Sequence, residues 1–369
     1  MFRRGKVPPF GTSRMTPFQT LRGIDILVTG HTGFTGTWAC HLLYMLGARV
    51  HGFSLPPPTS PSMFDLTQAQ ETLQSHTIGD ITDPDALQAC FRLSRPRLVL
   101  HLAAQPLVLQ SYSDPVGTFL TNTQGTLNVL EAARSTPEVQ GVVCITTDKV
   151  YANGGERRPF IETDPLGGKD PYSASKAAAE IAITSYRQLL AADGRDMSIE
   201  VARGGNIIGG GDWAKDRIIP DLARAISMRE PLQVRNLNAV RPWQHVLALL
   251  HGYLTLLDRI ARGESHGGEA WNFGPADETP ITVGQLLLTL MNQWTTVPIE
   301  VQHVQVKFQR EEFHLLINSE KARSILSWQP AWSNARATLE TASWYRSSNT
   351  GKSNLLSLTQ RQIQDYFKL

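Results

Sequence analysis

Ile24-Asp25-Ile26-Leu27-Val28-Thr29-Gly30-His31-Thr32-Gly33-Phe34-Thr35-Gly36 is the stretch from which the fold can be read. Its first six residues form an apolar, β-branched run of strand length. Glycines at GxxGxxG spacing follow, then a helix-like stretch, Trp38–Leu46, closed by Gly47. In such a corner the glycines permit a tight turn, let the backbone approach a pyrophosphate and allow close helix–strand packing. The helix adds its N-terminal N–H groups and the positive end of its dipole. A glycine-rich turn alone is a weak signal, and the strand before and helix after supply the context it needs. Gly30, Thr32, Gly33, Phe34 and Gly36 are therefore assigned to a dinucleotide cofactor.

Outward from this corner, strands and helices alternate. Ala48–Phe53 reads as a second strand, and 55–61, with four prolines, as a loop. Short strands are expected near Thr77–Ile78, Leu98–Leu102, Val142–Thr146 and Ile199–Arg203, with helices between them. This is the pattern of an α/β fold, a Rossmann-type doubly wound parallel sheet covered on both faces. After Asn206 the pattern degrades. Helices near Ile219–Met228, His245–Ala261 and Val283–Trp294 mix with strands near Gln233–Arg235 and Ile299–His303. We read a smaller, discontinuous α/β lobe that binds substrate, with a cleft at the carboxyl edge of the sheet. The division is 1–22 as a tail, 23–205 as mainly the cofactor domain, and 206–369 as mainly the substrate lobe with segments returning to the first.

Composition narrows the function classes. The chain has 369 residues, 41% hydrophobic and 18% charged, with a formal charge of +2. That charge gives no field of the kind that marks a nucleic-acid binder. Cys40, Cys90 and Cys144 are far apart and odd in number, which fits neither a disulfide framework nor a metal knuckle and points to a reducing, cytoplasmic setting. The most apolar helical stretch, His245 to Leu257, is interrupted by His251 and Gly252 and is too short for a membrane span. The first 22 residues are basic (Arg3, Arg4, Lys6, Arg14, Arg22) without an apolar core behind them, so a secretory signal is not expected. An untidy tail, or a start at Met15, is the plainer reading.

The acid that usually meets the adenosine ribose is missing, because the second strand ends His51-Gly52-Phe53-Ser54-Leu55. No arginine invites a 2′-phosphate there either, so this corner leaves NAD and NADP open. Asp80, in Gly79-Asp80-Ile81, can accept from the adenine amino group or be an ordinary turn aspartate.

Two stretches carry chemistry. Thr146-Thr147-Asp148-Lys149-Val150-Tyr151 closes an apolar strand, and Tyr172-Ser173-Ala174-Ser175-Lys176 enters a helix after Pro171. Residues four apart share a helix face, so Lys176 lies beside Tyr172. Its charge is expected to favour the phenolate, lowering a pKa normally near 10 and making Tyr172 a general base.

The chain resembles the extended short-chain dehydrogenase/reductases that modify nucleotide sugars, and within them the 4,6-dehydratases acting on CDP-glucose. The resemblance runs from Ile24 to the C-terminal region. It rests on Gly30–Trp38, SLPPPTSPSMF (54–64), HLAAQPLVLQSY (101–112), TTDKVY (146–151), DPYSASKAAAE (170–180), GNIIGGGDWAKDRIIP (205–220) and VRPWQHV (240–246). TTDKVY and RPWQHV discriminate, since related dTDP-glucose enzymes carry Asp-Glu where Asp148-Lys149 stands.

The resemblance implies NAD as cofactor, with Ile81, Ala103 and Ala104 joining Asp80, Tyr172 and Lys176 around it. Tyr172 would take the proton from the carbon 4 hydroxyl while hydride passes to NAD, and Thr147 would bond that oxygen. The ketone acidifies carbon 5, Asp148 protonates the departing carbon 6 hydroxyl, and hydride returns to carbon 6. Lys149 stands where a carboxylate base is usual. A lysine acts as base only when neutral, which needs desolvation or nearby positive charge. It either abstracts the carbon 5 proton or stabilises the enolate; pairing with Asp148 is the structural alternative.

Arg241, Arg217 and Asn206 are the candidates for the nucleotide, since a pyrophosphate wants arginine and backbone donors. Gln105 and Ser111 are expected to face the sugar. Trp213 and Trp243 can cover base or sugar, though tryptophan is more often core. His101 and His245 read as structural, and no metal-ligand spacing accompanies them. Thr35 (usually lysine), Leu109 (where arginine is expected) and the short stretch between Tyr151 and Asp164 depart from the pattern and imply a shifted substrate preference. The partner is thus a small molecule, CDP-glucose, and the family implies a homodimer or homotetramer. Competing readings are a nucleotide-sugar 4-epimerase, a dehydratase of another nucleotide sugar, a simple alcohol dehydrogenase and a non-enzymatic NAD-sensing regulator. Asp148-Lys149 argues against the epimerase, and Tyr172 with Lys176 against the regulator.

Overall fold

The computed structural model describes residues 17–155, 157–275, 281–294, 299–304, 315–350 and 354–369. Seven parallel strands form the central sheet: β1 (Asp25–Thr29), β2 (Arg49–Ser54), β3 (Ser75–Ile78), β4 (Leu98–His101), β5 (Gly141–Ile145), β6 (Ser198–Gly204) and β7 (Ala270–Phe273). Their spatial order is β7-β6-β5-β4-β1-β2-β3. The chain therefore runs out to one edge through β3 and restarts beside β1 with β4. The crevice at this reversal is where doubly wound sheets bind ligands.

Alternation along each strand sends side chains to opposite faces. Ile26 and Val28 join one core while Leu27 joins the other, and Leu98 and Leu100 are split from Val99 in the same way. The first core takes Trp38, Leu42 and Leu43 of the helix Phe34–Met45, and much of the helix Val246–Ala261. The second takes Leu87 and Phe91 of Pro84–Ser94, Val129 and Leu130 of Gly125–Arg134, and Ile183 and Leu190 of Pro171–Ala192. With both faces covered, strands such as β6 are buried along their whole length.

Two elements differ from the sequence reading. The first helix starts a full turn earlier than expected, at Phe34, with Gly33 in extended conformation at its N-cap. Apolar periodicity begins only at Trp38, so the glycine-containing first turn was invisible to it. The edge strand β7 was not foreseen; it comes from the C-terminal half and pairs with β6. Its register sets Asn272 opposite Arg203, a pairing no local pattern encodes.

The remaining chain forms the second lobe. Ile207–Ile208 pairs with Gln244–His245, Val240–Arg241 with Ile281–Thr282, and Leu232–Val234 with Val301–His303. Around them lie the helices Ile218–Met228, Val283–Trp294, Glu320–Leu326, Asn334–Thr350 and Leu355–Phe367. Of the expected tail, Arg3, Arg4, Lys6, Arg14 and Met15 lie outside the described residues. Within 17–22, Leu21 is buried and the Phe18 ring meets His251 and Phe367 edge-on, while Gln19, Thr20 and Arg22 are exposed.

Candidate active site

A cleft of about 1240 Å³ opens beyond the carboxyl ends of β1, β4 and β5. The glycine corner forms one end. Gly30 has φ +76°, and a Cβ there would lie 2.7 Å from the Ala103 backbone nitrogen. At Gly36 a Cβ would sit 2.1 Å from the Gly30 carbonyl oxygen, so the helix can press on the turn only without a side chain. The first turn of that helix carries no acid, leaving its N–H groups free of a competing carboxylate. These features fit a dinucleotide pyrophosphate. Thr32, Gly33, Phe34, Asp80, Ile81, Ala103 and Ala104 line the same end. The Thr32 hydroxyl is tied to the end of β2, 2.9 Å from Ser54 Oγ and donating to the Leu55 carbonyl at 2.8 Å. Asp80 Oδ1 accepts from the Thr82 N–H at 2.8 Å.

Behind the next wall, β5 runs into a 3₁₀ turn, Asp148–Val150, capped by the Thr147 hydroxyl. Thr146 Oγ1 donates to Glu180 at 2.6 Å, and Arg203 Nε reaches both oxygens of Glu180 at 3.0 Å. Arg203 also donates to the Tyr151 hydroxyl at 2.9 Å, and that hydroxyl donates to Asn272 Oδ1 at 2.6 Å. Glu180 and Arg203 are each 4% exposed, so breaking the pair would leave a buried charge, at a cost of about 3–5 kcal/mol. The network bolts the TTDKVY turn to β6, β7 and the helix Pro171–Ala192. The sequence reading missed Glu180, Arg203 and Asn272. One signal for Glu180 was available: it follows Lys176 by four residues, on the same helical face.

That helix starts with Asp170 accepting from the Ser173 N–H at 2.9 Å and with proline in its first turn. The start is thus defined just before Tyr172, and Lys176 follows one turn on. Lys176 Nζ donates to the Ile145 carbonyl at 3.0 Å, and burial pushes its ammonium down to about 8. The expected lowering of Tyr172 by Lys176 is not what the folded chain does. Burial dominates and lifts the phenol to about 12; the Thr147 hydroxyl opposes this, Asp148 adds to it, and the Arg217 cation opposes it. The one cation acting on the phenol is Arg217 rather than Lys176, and its pull is outweighed because the phenolate must form in a dry site.

Asp148 is 1% exposed. Its Oδ1 accepts from Thr147 Oγ1 at 3.0 Å, and its Oδ2 has no partner among the described residues. Burial raises its pKa, with Lys149, Thr147 and Arg241 pulling the other way. Gly205 is the reason the carboxyl fits, since a Cβ there would lie 1.9 Å from Asp148 Oδ2. Lys149 is half-buried and lines the cleft.

At the far end, Asn206, Arg217 and Arg241 line the cleft with Trp213 and Trp243. Asn206 has φ +45° and receives the Gln244 N–H on its carbonyl at 3.3 Å. Arg217 pairs with Asp212 at 2.9 Å, and Arg241 donates to the Val240 carbonyl at 2.8 Å. Trp243 is buried, while Trp213 is half-buried and edge-on to Tyr345. Asp212, Lys215, Arg224 and Arg235, also in the wall, were not singled out from sequence. Thr35 and Leu109 lie on the cleft as well.

Gln105 lines the cleft but spends its amide on its own loop, bonding Leu107 and Thr118. Ser111 is brought to neither end: it is fully buried and donates to the Val108 carbonyl at 2.7 Å. His101 is neutral between Thr29 and Thr126 hydroxyls, at 2.7 and 3.0 Å, with burial pushing it down to about 3. His245 caps a helix through Nδ1. No cluster of metal-ligating side chains occurs among the described residues.

Comparison with known proteins agrees with this geometry. The chain is 36% identical to a CDP-glucose 4,6-dehydratase of Salmonella typhimurium, over 94% of this chain and 96% of that one. It is 27% identical to a dTDP-glucose 4,6-dehydratase of Xanthomonas campestris, over 91% of this chain and 97% of the relative. A dTDP-glucose 4,6-dehydratase of Bacillus anthracis, solved in complex with NAD, shares the fold with a TM-score of 0.72 at 22% identity, covering 91% of this chain and 99% of that one. Residues 26–274 match the NAD dependent epimerase/dehydratase family. A cleft built from the glycine corner, the Tyr172–Lys176 turn and the buried Asp148, together with these matches, places the chain in the NAD-dependent epimerase/dehydratase family.

Proposed function

We propose that the protein is a lyase converting CDP-glucose to CDP-4-keto-6-deoxyglucose, with NAD regenerated in each turnover so that no net redox occurs. The carrying observation is Asp148, a buried carboxyl whose pKa burial raises and whose Oδ2 has no partner among the described residues, in the same cleft as Tyr172 and Lys176. Tyrosine and lysine alone suit oxidation; a buried carboxyl beside them, with its pKa raised, suits protonation of a departing hydroxyl and so loss of water. Gly30, Gly33, Gly36 and the N-terminus of Phe34–Met45 would hold the NAD pyrophosphate. When bound, NAD supplies the electron-pair acceptor for oxidation at carbon 4 and the donor for reduction at carbon 6.

The chain's own groups move the protons. Tyr172 takes the proton of the carbon 4 hydroxyl, and Thr147 bonds that oxygen. With carbon 4 a ketone, Lys149 removes the carbon 5 proton or stabilises the enolate, and after reduction at carbon 6 a proton returns to carbon 5 to give the saturated ketone. Asp148 gives its proton to the carbon 6 oxygen, which leaves as water, and so must be reprotonated each turnover. Arg217 and Arg241 bind the pyrophosphate. Incubating the pure protein with CDP-glucose and catalytic NAD tests this. The expected result is a 4-keto-6-deoxy sugar without net NADH; no product would redirect the reading to epimerisation or to another nucleotide.

The setting follows from the substrate. No helix among the described residues is long and apolar enough to cross a membrane. We assign the enzyme to the cytoplasm and to sugar supply for surface polysaccharide. We assign it a homodimeric or homotetrameric state through the helices Pro115–Phe119, Leu120–Gln124 and Pro171–Ala192, which expose Val116, Phe119, Leu120 and Ile181.

A further inference from the structure

The segment 209–217, between the strand Ile207–Ile208 and the helix Ile218–Met228, carries Arg217 into the cleft. It is held from outside by the helix Asn334–Thr350, whose Trp344 and Tyr345 do not line the cleft. Trp344 lies so close that a Cβ on Gly210 would come within 1.9 Å of its ring. Trp38, in the cofactor-side helix, donates its indole N–H to the Gly210 carbonyl at 3.0 Å. Gly211 then turns with φ +90°. The next carbonyl, of Asp212, accepts the hydroxyl of the fully buried Tyr345.

From Asp212 the chain of contacts leads to the substrate end. Its Oδ1 accepts the Ala214 N–H at 3.0 Å, and its Oδ2 pairs with Arg217 Nη1 at 2.9 Å. Arg224 secures the following carbonyls, of Trp213 at 3.0 Å and Ala214 at 3.1 Å. Arg217 faces Tyr172 closely enough for each charge to act on the other. The Tyr345 ring has separate work: it stacks on Trp294 at 4.9 Å and meets Trp213 edge-on at 5.3 Å. The hydroxyl is therefore separable from the packing.

We propose that Tyr345 is a positioning residue for substrate binding: its hydroxyl fixes the Asp212 carbonyl, and Asp212 in turn sets the Arg217 guanidinium at the substrate end of the cleft. A buried peptide carbonyl needs a donor, and without one the loop has reason to move toward another. Bidentate recognition of phosphate depends on the angle of the guanidinium as much as its presence. The inference rests on the reading of the site as one for a nucleotide sugar.

The test is a double-mutant cycle on the full-length enzyme with NAD. Tyr345→Phe keeps the ring and removes the hydroxyl. It should raise KM for CDP-glucose about fivefold, the factor of one neutral hydrogen bond, and leave kcat within about twofold. In an Arg217→Gln background the same change should add nothing, because the group it positions is gone. Unchanged KM, or effects that multiply across the cycle, would overturn the positioning role. Should Tyr345→Phe fail to fold, Asp212→Asn carries the same comparison one link nearer the cleft, with the same two outcomes. A wild-type enzyme inert toward CDP-glucose would instead remove the substrate reading, so the two failures are distinct.

Discussion

Replacing Gly205 by alanine should disable water loss while sparing oxidation. The backbone of Gly205 is not in the left-handed region, so the obstacle is purely steric. The added Cβ would lie 1.9 Å from Asp148 Oδ2 and 2.2 Å from its Cγ, about 1.5 Å inside an ordinary contact. The carboxyl has little room to retreat, being buried and tethered through Oδ1 to Thr147. Overpacking of this kind costs about 1–3 kcal/mol, a fall of a few degrees in Tm. Displacing a catalytic group by about 1 Å costs about 100-fold in kcat, or about 2.7 kcal/mol of barrier. Single-turnover mixing with CDP-glucose and NAD separates the steps. Reduced nicotinamide should build up at near wild-type rate and then persist, while the 4-keto-6-deoxy product appears slowly. Steady-state turnover within threefold of wild type would refute the reasoning, as would loss of the initial oxidation in a protein that still folds.

Further outcomes are expected at three positions. Lys149→Ala should abolish solvent deuterium incorporation at carbon 5; undiminished incorporation would remove Lys149 from that step. Tyr172, lifted to about 12 by burial, holds its proton more tightly folded than unfolded, so its contribution to stability is full below about pH 10 and lost as pH climbs toward 12. Bound NAD brings a positive ring, so the tyrosinate absorbance that Tyr172→Phe removes should appear at least about one pH unit lower with saturating NAD than without it, and no such shift would speak against Tyr172 as the base. Ile181→Asp should convert the assembly to monomers in sedimentation; an unchanged mass would place the interface elsewhere.

Whatever lies within a turn or two of backbone could be read from the order of the residues. The glycine corner, the Tyr172–Lys176 spacing and the TTDKVY turn are local, because helix and strand periodicities and glycine's freedom act over a few residues. Most strand and helix positions followed from the same periodicities, and the first helix was placed late only where glycine and threonine hid its apolar face. The fold decided what depends on distant neighbours. Whether Tyr172 is drawn down or pushed up is a sum over burial, Thr147, Asp148 and Arg217, and that sum came out opposite to the local expectation. The room for Asp148 is set by Gly205, the anchoring of its turn by Glu180, Arg203 and Asn272, and the aim of Arg217 by Tyr345 through Asp212. Desolvation and steric exclusion are properties of the assembled surroundings, and only the tertiary structure brings those surroundings together.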